Sequence, residues 1–336
     1  RDRHQPYRIS LSAANQFSNN PEVSTFAGSG VAGSTNATGT SAKFNGPVGI
    51  STDGTNFYVA DRNNHTIRKI VISTGAVTTL AGSAGSQGST NAAGTSAKFN
   101  LPWGITTDGT NLYVTDRHNH LIRKIVISTG AVTTLAGSGT AGSTNATGTS
   151  AKFYYPRGIA SDGTNLYVAD HHNHTIRKIV ISTGVVTTIA GSTSSGSTDA
   201  TGTSARFKYP TGITTDGTNL YVADSDNHKI RKIVIATGAV TTLAGSGSQG
   251  STDATGTAAS FNSPSGMAID GTNLYVAEYN NHTIRKIVIS SGVVTTFAGS
   301  TSFGSTDATG TSARFKNPLA ITSYGTNLYV SDYFNH

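Results

Sequence analysis

A phrase that ends in Asn-His recurs six times along this chain at nearly constant spacing. The intervals between successive histidines are 55, 54, 54, 54 and 54 residues. The histidines are His65, His120, His174, His228, His282 and His336. A proline keeps the same step, at Pro47, Pro102, Pro156, Pro210, Pro264 and Pro318. A fixed period of this size is typical of repeat architectures, in which each unit buries its apolar faces against its neighbours.

One repeat, residues 47–82, has the pattern of four short strands separated by turn signals. An apolar run at 48–51 precedes the turn residues Asp53 and Gly54, and residues 56–61 form the second strand. Residues 65–72 and 76–81 form the third and fourth strands. Four antiparallel strands in each of six units predict an all-β fold, a six-bladed β-propeller.

The two ends of the chain contain complementary halves of a repeat. Residues 318–336 match the first two strands, whereas residues 1–28 match the third and fourth. The sequence therefore predicts one domain over residues 1–336, closed by a blade whose outer two strands come from 1–28 and whose inner two come from 318–336. The complete blades are predicted at residues 47–82, 102–137, 156–191, 210–245 and 264–299.

Composition narrows the functional classes. No apolar run approaches the roughly 18 residues that a membrane helix needs, so we expect no membrane insertion. The chain has no cysteine, which excludes disulfides and thiolate metal sites. The net charge of +7 comes mostly from an Arg-Lys pair in each repeat. Such charges are spread around a ring, so we do not expect nucleic acid to be the main partner.

The repeat resembles the NHL repeat. Residues 119–121 spell Asn-His-Leu, and the other repeats carry Asn-His-Thr or Asn-His-Lys together with P-x-G-I, D-G-x-x-L-Y-V-A-D and I-R-K-I. The resemblance implies a propeller over nearly the whole chain. It implies no single activity, because similar proteins include RNA-binding propellers, a peptide-amidating lyase with a metal in its propeller, sensor domains of bacterial receptor kinases and secreted bacterial proteins.

Each repeat also places a carboxylate four residues before its histidine, as in Asp61 and His65. A carboxylate that orients an imidazole is half of a catalytic triad. A catalyst needs one asymmetric site, however, and this pair recurs in every repeat. We interpret the pairs as scaffold groups that hydrogen-bond the turn between the second and third strands. No catalytic residue, metal site or cofactor is predicted.

The repeats differ from one another mainly at the turn before each histidine and beside each proline. Both places lie at the same end of a blade, so their side chains are predicted to converge on one face around the central channel. Aromatic rings suit sugars and apolar groups, and arginine suits carboxylates. The predicted ligand-binding residues are Trp103, Arg117, His118, Tyr154, Tyr155, Arg157, His171, His172, Lys208, Tyr209, Tyr279, Tyr333 and Phe334. The alternative is neutral variation on tolerant loops.

These patterns favour a non-catalytic binding or scaffold propeller that recognises a glycan or protein through the aromatic and basic face. Self-assembly, or another surface protein as partner in an extracellular assembly, is an open alternative. The small, weakly charged composition favours a secreted or cell-surface bacterial protein. The chain has no initiator Met and no signal peptide pattern, which indicates a form processed or excised from a longer precursor.

Two other functions remain open. A metal-assisted lyase or hydrolase at the channel mouth could use His118, His171 and His172 as zinc ligands, although adjacent histidines on a turn are expected to point apart. RNA binding is the third alternative. The loops between repeats carry a recurring Asn or Asp, such as Asn36 and Asp199. An Asx turn is the favoured interpretation of these residues, and calcium binding is left open.

Overall fold

The computed structural model describes residues 8–12, 16–17 and 20–336. Its strands follow from runs of β-branched and aromatic residues such as those at 56–61 and 66–71. The first strands are β1 (Arg8–Ser12), β2 (Gln16–Phe17) and β3 (Val23–Ser24).

Five four-stranded antiparallel sheets follow, each built from consecutive strands. Sheet one holds β4 (Pro47–Thr52), β5 (Asn56–Asp61), β6 (Thr66–Val71) and β7 (Val77–Gly82). Sheet two holds β8 (Ile105–Thr107), β9 (Asn111–Asp116), β10 (Leu121–Val126) and β11 (Val132–Ala136). Sheet three holds β12 (Ile159–Ser161), β13 (Asn165–Asp170), β14 (Thr175–Val180) and β15 (Val186–Gly191).

The remaining two sheets of this kind repeat the pattern. Sheet four holds β16 (Pro210–Thr215), β17 (Asn219–Asp224), β18 (Lys229–Val234) and β19 (Val240–Ala244). Sheet five holds β20 (Pro264–Ile269), β21 (Asn273–Glu278), β22 (Thr283–Val288) and β23 (Val294–Gly299). The structure confirms an all-β propeller with four antiparallel strands per blade.

A sixth sheet combines the two ends of the chain. It contains β24 (Pro318–Tyr324) and β25 (Asn327–Asp332), with β1 paired to β25 and β3 paired to β1. The split blade of the sequence prediction falls on this sheet, and residues 1–7, 13–15 and 18–19 of its outer half lie outside the described residues. Complete blades of consecutive strands therefore number five among the described residues, and the count of six blades stays a prediction.

The helical segments in the described residues are short 3₁₀ turns. Those in the loops between sheets are Gly39–Ser41, Gly94–Ser96, Gly148–Ser150, Gly202–Ser204, Gly256–Ala258 and Gly310–Ser312. Those after a second strand are Arg62–Asn64, Arg117–Asn119, His171–Asn173, Ser225–Asn227 and Tyr333–Asn335. In the described part of the chain, none of the helices has the length and apolar character needed to span a membrane.

The apolar core lies between neighbouring sheets. Phe99 is fully buried against Tyr58 of sheet one and Leu112 of sheet two. Each such phenylalanine contributes about 1.5–3 kcal/mol by leaving water. The counterparts Phe44, Phe153, Phe207, Phe261 and Phe315 are buried in the same way.

A narrow central channel is surrounded by one strand from each of the six sheets, namely β4, β8, β12, β16, β20 and β24. The amide of Gly49 donates to the carbonyl of Trp103 in the next sheet (2.8 Å). A Cβ at Gly49 would lie 2.6 Å from that carbonyl oxygen, which explains why the P-x-G-I phrase requires glycine. Five of the residues that follow a proline line the channel mouth, and they are Trp103, Arg157, Thr211, Ser265 and Leu319. The sixth, Val48, is buried beside the channel.

Candidate ligand-binding cavity

The repeated carboxylates form a buried network with arginine and asparagine. Asp61 accepts hydrogen bonds from Asn64 Nδ2 (2.7 Å) and Arg68 Nη1 (2.8 Å), and from the amide of Asn45 (2.7 Å). The Arg68 guanidinium lies over the ring of Phe44, 4.8 Å from its centroid. Asp61 and Arg68 are both fully buried. The predicted scaffold role is thus supported: Asp61 holds Asn64 of the turn between the second and third strands, and its other partners are Arg68 and the Asn45 amide.

The repeated histidines connect neighbouring sheets. His65 has left-handed backbone (φ 57°), which turns its ring toward the next sheet. There its Nδ1 accepts a hydrogen bond from the amide of Leu101 (3.0 Å). The same bond recurs at His120, His174, His228 and His282, and His336 receives it from Gly46 (3.1 Å). The last of these bonds joins the sixth sheet to the first.

Acid should weaken these inter-sheet bonds. Burial lowers the pKa of all six histidines below the usual 6.5. The folded state then binds fewer protons than the unfolded chain, so this stability is complete above pH 6.5 and is lost as pH falls below it. We expect the temperature of the thermal unfolding midpoint to decrease as the pH is lowered from about 7.5 to about 6. Circular dichroism measures this midpoint.

Two buried carboxyl groups limit this measurement of the unfolding midpoint to pH values above about 6. Burial raises the pKa of Asp116 and Asp224 to about 6, against the lowering effect of Arg123 and Arg231. Proton uptake by these folded-state carboxyls below that pH acts in the opposite direction. The variant His174→Asn, which lacks one of the six imidazoles, should show a shallower dependence. An unfolding midpoint that stays constant or rises over the same range would contradict the assignment.

The loop asparagines and aspartates anchor the loops to the buried arginines. Asn36 Oδ1 accepts from Arg68 Nη2 (2.8 Å), and Asp199 Oδ1 accepts from Arg231 Nη2 (2.7 Å). Asn and Asp both present an oxygen to the guanidinium, which explains their exchange between repeats. The arginine contact replaces the expected Asx turn as the explanation of this position.

A cavity of about 320 Å³ opens at the channel mouth. Ten of its thirteen lining residues stand at two positions of the repeat, directly after a proline or directly after a repeated carboxylate. Backbone hydrogen bonds hold these two parts of the repeat together, as from the His172 amide to the Tyr154 carbonyl (3.1 Å). The lining residues are Arg62, Trp103, Arg157, His171, Thr211, Ser225, Asp226, Ser263, Ser265, Tyr279, Asn280, Leu319 and Tyr333.

The predicted ligand-binding residues divide into three groups in the structure. Those that line the cavity are Trp103, Arg157, His171, Tyr279 and Tyr333. A second group forms an aromatic ridge beside the cavity, with neighbouring ring centroids 4.7–5.3 Å apart, and consists of His118, Tyr154, Tyr155, His172 and Tyr209. His171 contacts both His172 and Tyr209 and so joins the ridge to the cavity. Arg117 lies over Tyr155 of the ridge, 4.9 Å from the ring centroid.

The third group lies outside both. Lys208 is exposed, and its amide donates to Asp224 in the scaffold network. Phe334 is 42% exposed and packs edge-on against Tyr333. Neither side chain is among those that line the cavity.

Trp103 forms part of the cavity floor. It is 9% exposed and packs with Val48, Leu319 and Tyr333, and it also closes the channel below. The Arg157 guanidinium lies 4.3 Å from its ring centroid. Trp103, predicted to belong to the ligand-binding face, lines the cavity with most of its indole buried, because the position after proline directs the ring into a narrow channel.

Three guanidinium groups surround this indole. Arg62 and Arg117 lie 5.5 Å from its centroid, in addition to Arg157. Burial and the neighbouring arginines lower the pKa of Arg157 to about 9 and that of Arg117 to about 10. The same causes lower the pKa of His118 and His172 to about 4, so both rings are neutral at pH 7.

Eight cavity residues were absent from the predicted set. Each stands at one of the positions where the repeats differ, so the signal was present. Choosing aromatic and basic residues left out the small polar ones, and the predicted set also missed Arg62 and Leu319. The eight residues are Arg62, Thr211, Ser225, Asp226, Ser263, Ser265, Asn280 and Leu319.

The histidines proposed as zinc ligands are placed differently from expectation. His171 and His172 do not point apart, since their Nδ1 atoms lie 2.8 Å apart, a distance at which one neutral ring donates to the other. His118 contacts Tyr155 instead. Among the described residues, no group of three or more histidines and carboxylates is arranged to hold a metal ion.

Comparison with known proteins agrees with this architecture. The NHL repeat family matches residues 44–70, 99–125, 153–179 and 261–287. NHL repeat-containing protein 2 of Bos taurus is 32% identical over 295 residues, which cover 76% of this chain and 40% of that protein. The chain thus spans about two-fifths of that relative, which is a mammalian protein.

Solved structures share the fold. A Bacteroides thetaiotaomicron protein of unknown function has a TM-score of 0.71 at 24% identity, covering 94% of this chain and 74% of that chain. An auxiliary nutrient binding protein of the same organism has a TM-score of 0.65 at 16% identity, covering 87% of this chain and 68% of that chain. Sequence and structure agree: the chain is an NHL-repeat β-propeller.

Proposed function

We propose that this chain is a non-catalytic binding propeller, secreted or displayed at a bacterial cell surface, that recognises a glycan or protein at its channel mouth. The observation that carries the proposal is the cavity of about 320 Å³. Its size suits a small ligand or the end of a larger one. The side chains that build it stand where the repeats differ, whereas the scaffold positions are nearly identical.

The charges on the molecule support a local site over a broad basic surface. The arginine of each repeated Arg-Lys pair, such as Arg68 or Arg231, is fully buried in an ion pair. These arginines therefore do not form an exposed stripe for nucleic-acid phosphates. Within the described part of the chain, Arg62 and Arg157 at the cavity form no such ion pair. RNA binding is the weaker alternative.

The location is proposed by analogy. A neighbour in fold is described as an auxiliary nutrient binding protein of a bacterium. The small, weakly charged composition of the chain also supports a location outside the cytoplasm. The sequence relative is mammalian, so a bacterial surface protein is a proposal that identification of the source organism will test.

Ligand binding should change the fluorescence of Trp103, the only tryptophan in the chain. The indole forms the cavity floor, so a ligand above it alters the polarity around the ring. We expect a glycan and peptide screen read by this emission to find a ligand. We also expect Tyr279→Ala to weaken that ligand by about 1 kcal/mol or more, as for an aromatic contact residue.

Phe303→Ala is the matched control, because Phe303 is 63% exposed and does not line the cavity. This variant should bind as the original chain does. Equal loss of affinity in both variants, or binding with unchanged Trp103 emission, would place the site elsewhere. Stoichiometric zinc in the purified protein that is lost in His171→Ala would instead support the metal-assisted lyase or hydrolase.

A further inference from the structure

The arginines at the cavity lack the partners that the scaffold arginines have. Arg177 in the scaffold binds Asp170 Oδ2 at 2.8 Å. Among the described residues no carboxylate forms an ion pair with Arg157 or Arg62. Arg62 Nη1 donates to the neutral oxygens of Tyr333 (2.8 Å) and Asn63 (3.0 Å). Burying unpaired like charges together costs stability, and this cost is typical of functional sites.

The opposite wall of the cavity is rich in hydroxyl and amide groups. Thr211, Ser225 and Ser265 lie deep in it, and Asn280 stands exposed at its rim. Hydroxyl and amide groups exchange hydrogen bonds with hydroxyl groups of a ligand. The exposed carboxylate of Asp226 also stands at the rim, where it can accept from ligand hydroxyls, and its charge acts to raise the pKa of Arg157. Tyr279 adds an aromatic ring to the wall. The cavity thus has a cationic side and a hydroxyl-binding side.

We propose that the cavity binds an acidic sugar residue, a hexuronate, whose carboxylate pairs with Arg157 and Arg62 while its hydroxyl groups face the serine and threonine wall. This inference rests on the proposed function and specifies its ligand. Arginine binds carboxylates by paired hydrogen bonds, which a point charge such as lysine cannot reproduce. The cavity of about 320 Å³ has room for one sugar ring.

Calorimetric titration with methyl glucuronide or methyl galacturonide, each paired with its neutral hexoside, tests the assignment. We expect the uronide to bind at least about tenfold more tightly, since a charge-assisted pair contributes about 1.5–3 kcal/mol. Raising the salt concentration should reduce this preference. Equal affinities for the uronide and its neutral hexoside would overturn the hexuronate inference and leave the proposed glycan function standing. If none of the four sugars binds, and no acidic or neutral oligosaccharide binds either, both the inference and the proposed function are overturned.

Variants separate a binding role of Arg157 from a structural one. Arg157→Met should lose the uronide preference by about tenfold or more, with little loss of thermal stability because an unpaired buried charge is removed. Arg157→Lys should recover only part of the preference. Arg206→Met, an arginine outside the cavity whose Nη1 donates to the Thr203 carbonyl, should bind normally. The inference would be overturned if Arg157→Met unfolds while Arg157→Lys keeps full binding of the uronide. Tight binding of an acidic peptide in place of the uronide would also overturn it.

Discussion

Replacing Arg177 with methionine should lower the free energy of unfolding by about 3–5 kcal/mol, because it leaves the carboxylate of Asp170 buried and unpaired. Asp170 and Arg177 are both fully buried, 2.8 Å apart. The guanidinium also donates to the carbonyls of Lys152 (2.8 Å) and Thr144 (3.0 Å). A loss of this size is a large part of the stability of about 5–15 kcal/mol typical of a folded protein. Urea unfolding followed by circular dichroism measures it.

Lys178→Met is a matched control in the same strand. Lys178 is the next residue and faces the other side of the sheet, where it is half-buried. Its replacement should change stability by less than about 0.5 kcal/mol. The double variant Asp170→Leu with Arg177→Met should recover part of the loss, because it removes the unpaired charge. Equal effects of Arg177→Met and Lys178→Met would show that the buried network does not stabilise the blade.

Deleting residues 1–28 should abolish cooperative unfolding, because the sixth sheet would lose its outer half. Val23 and Phe26 are each 1% exposed. Val23 packs in a cluster with Phe315 and Leu328, and the Phe26 ring lies 5.9 Å from the Tyr329 ring. The deletion exposes these apolar side chains and breaks the pairing of β1 with β25. Calorimetry should show no sharp transition in the truncated protein.

A peptide of residues 1–28 added to the truncated protein should restore the transition, and a scrambled peptide should not. In the full chain, Phe26→Ala should cost about 3–5 kcal/mol, as a buried phenylalanine does. Val31→Ala serves as the control, since Val31 is 58% exposed. A truncated protein that melts at the original temperature would show that the sixth sheet does not close the ring, and the count of six blades would then be wrong.

The elements that were predictable from the sequence depend on local patterns. The second strand at 56–61 was predicted with its observed bounds, since its Asp-Gly turn and aromatic residues lie within a few positions of one another. The third strand begins at Thr66 and not at the predicted His65, because His65 has left-handed backbone. A phenylalanine recurs at the position of Phe99 in every repeat, and the structure buries it in the core between neighbouring sheets.

The partners of the repeated groups were not predictable in the same way. Asp61 and His65 are four residues apart and invited an interpretation as a pair. The left-handed backbone at His65 instead directs its imidazole to the amide of Leu101 in the next sheet (3.0 Å). The carboxylate of Asp61 binds Arg68 (2.8 Å). A pattern along one strand specifies which face a side chain occupies, but the curvature of the ring determines which neighbouring sheet it meets.

The cavity shows the same division. Comparison of the repeats within the sequence located the variable positions at one end of the blades, since strand alternation places those turns together. Only the tertiary structure brought Arg62 to Tyr333 (2.8 Å) and Arg157 over Trp103 (4.3 Å). These residues come from different sheets, far apart in the chain. Their unpaired charge depends on packing around a closed channel, which no local sequence pattern encodes.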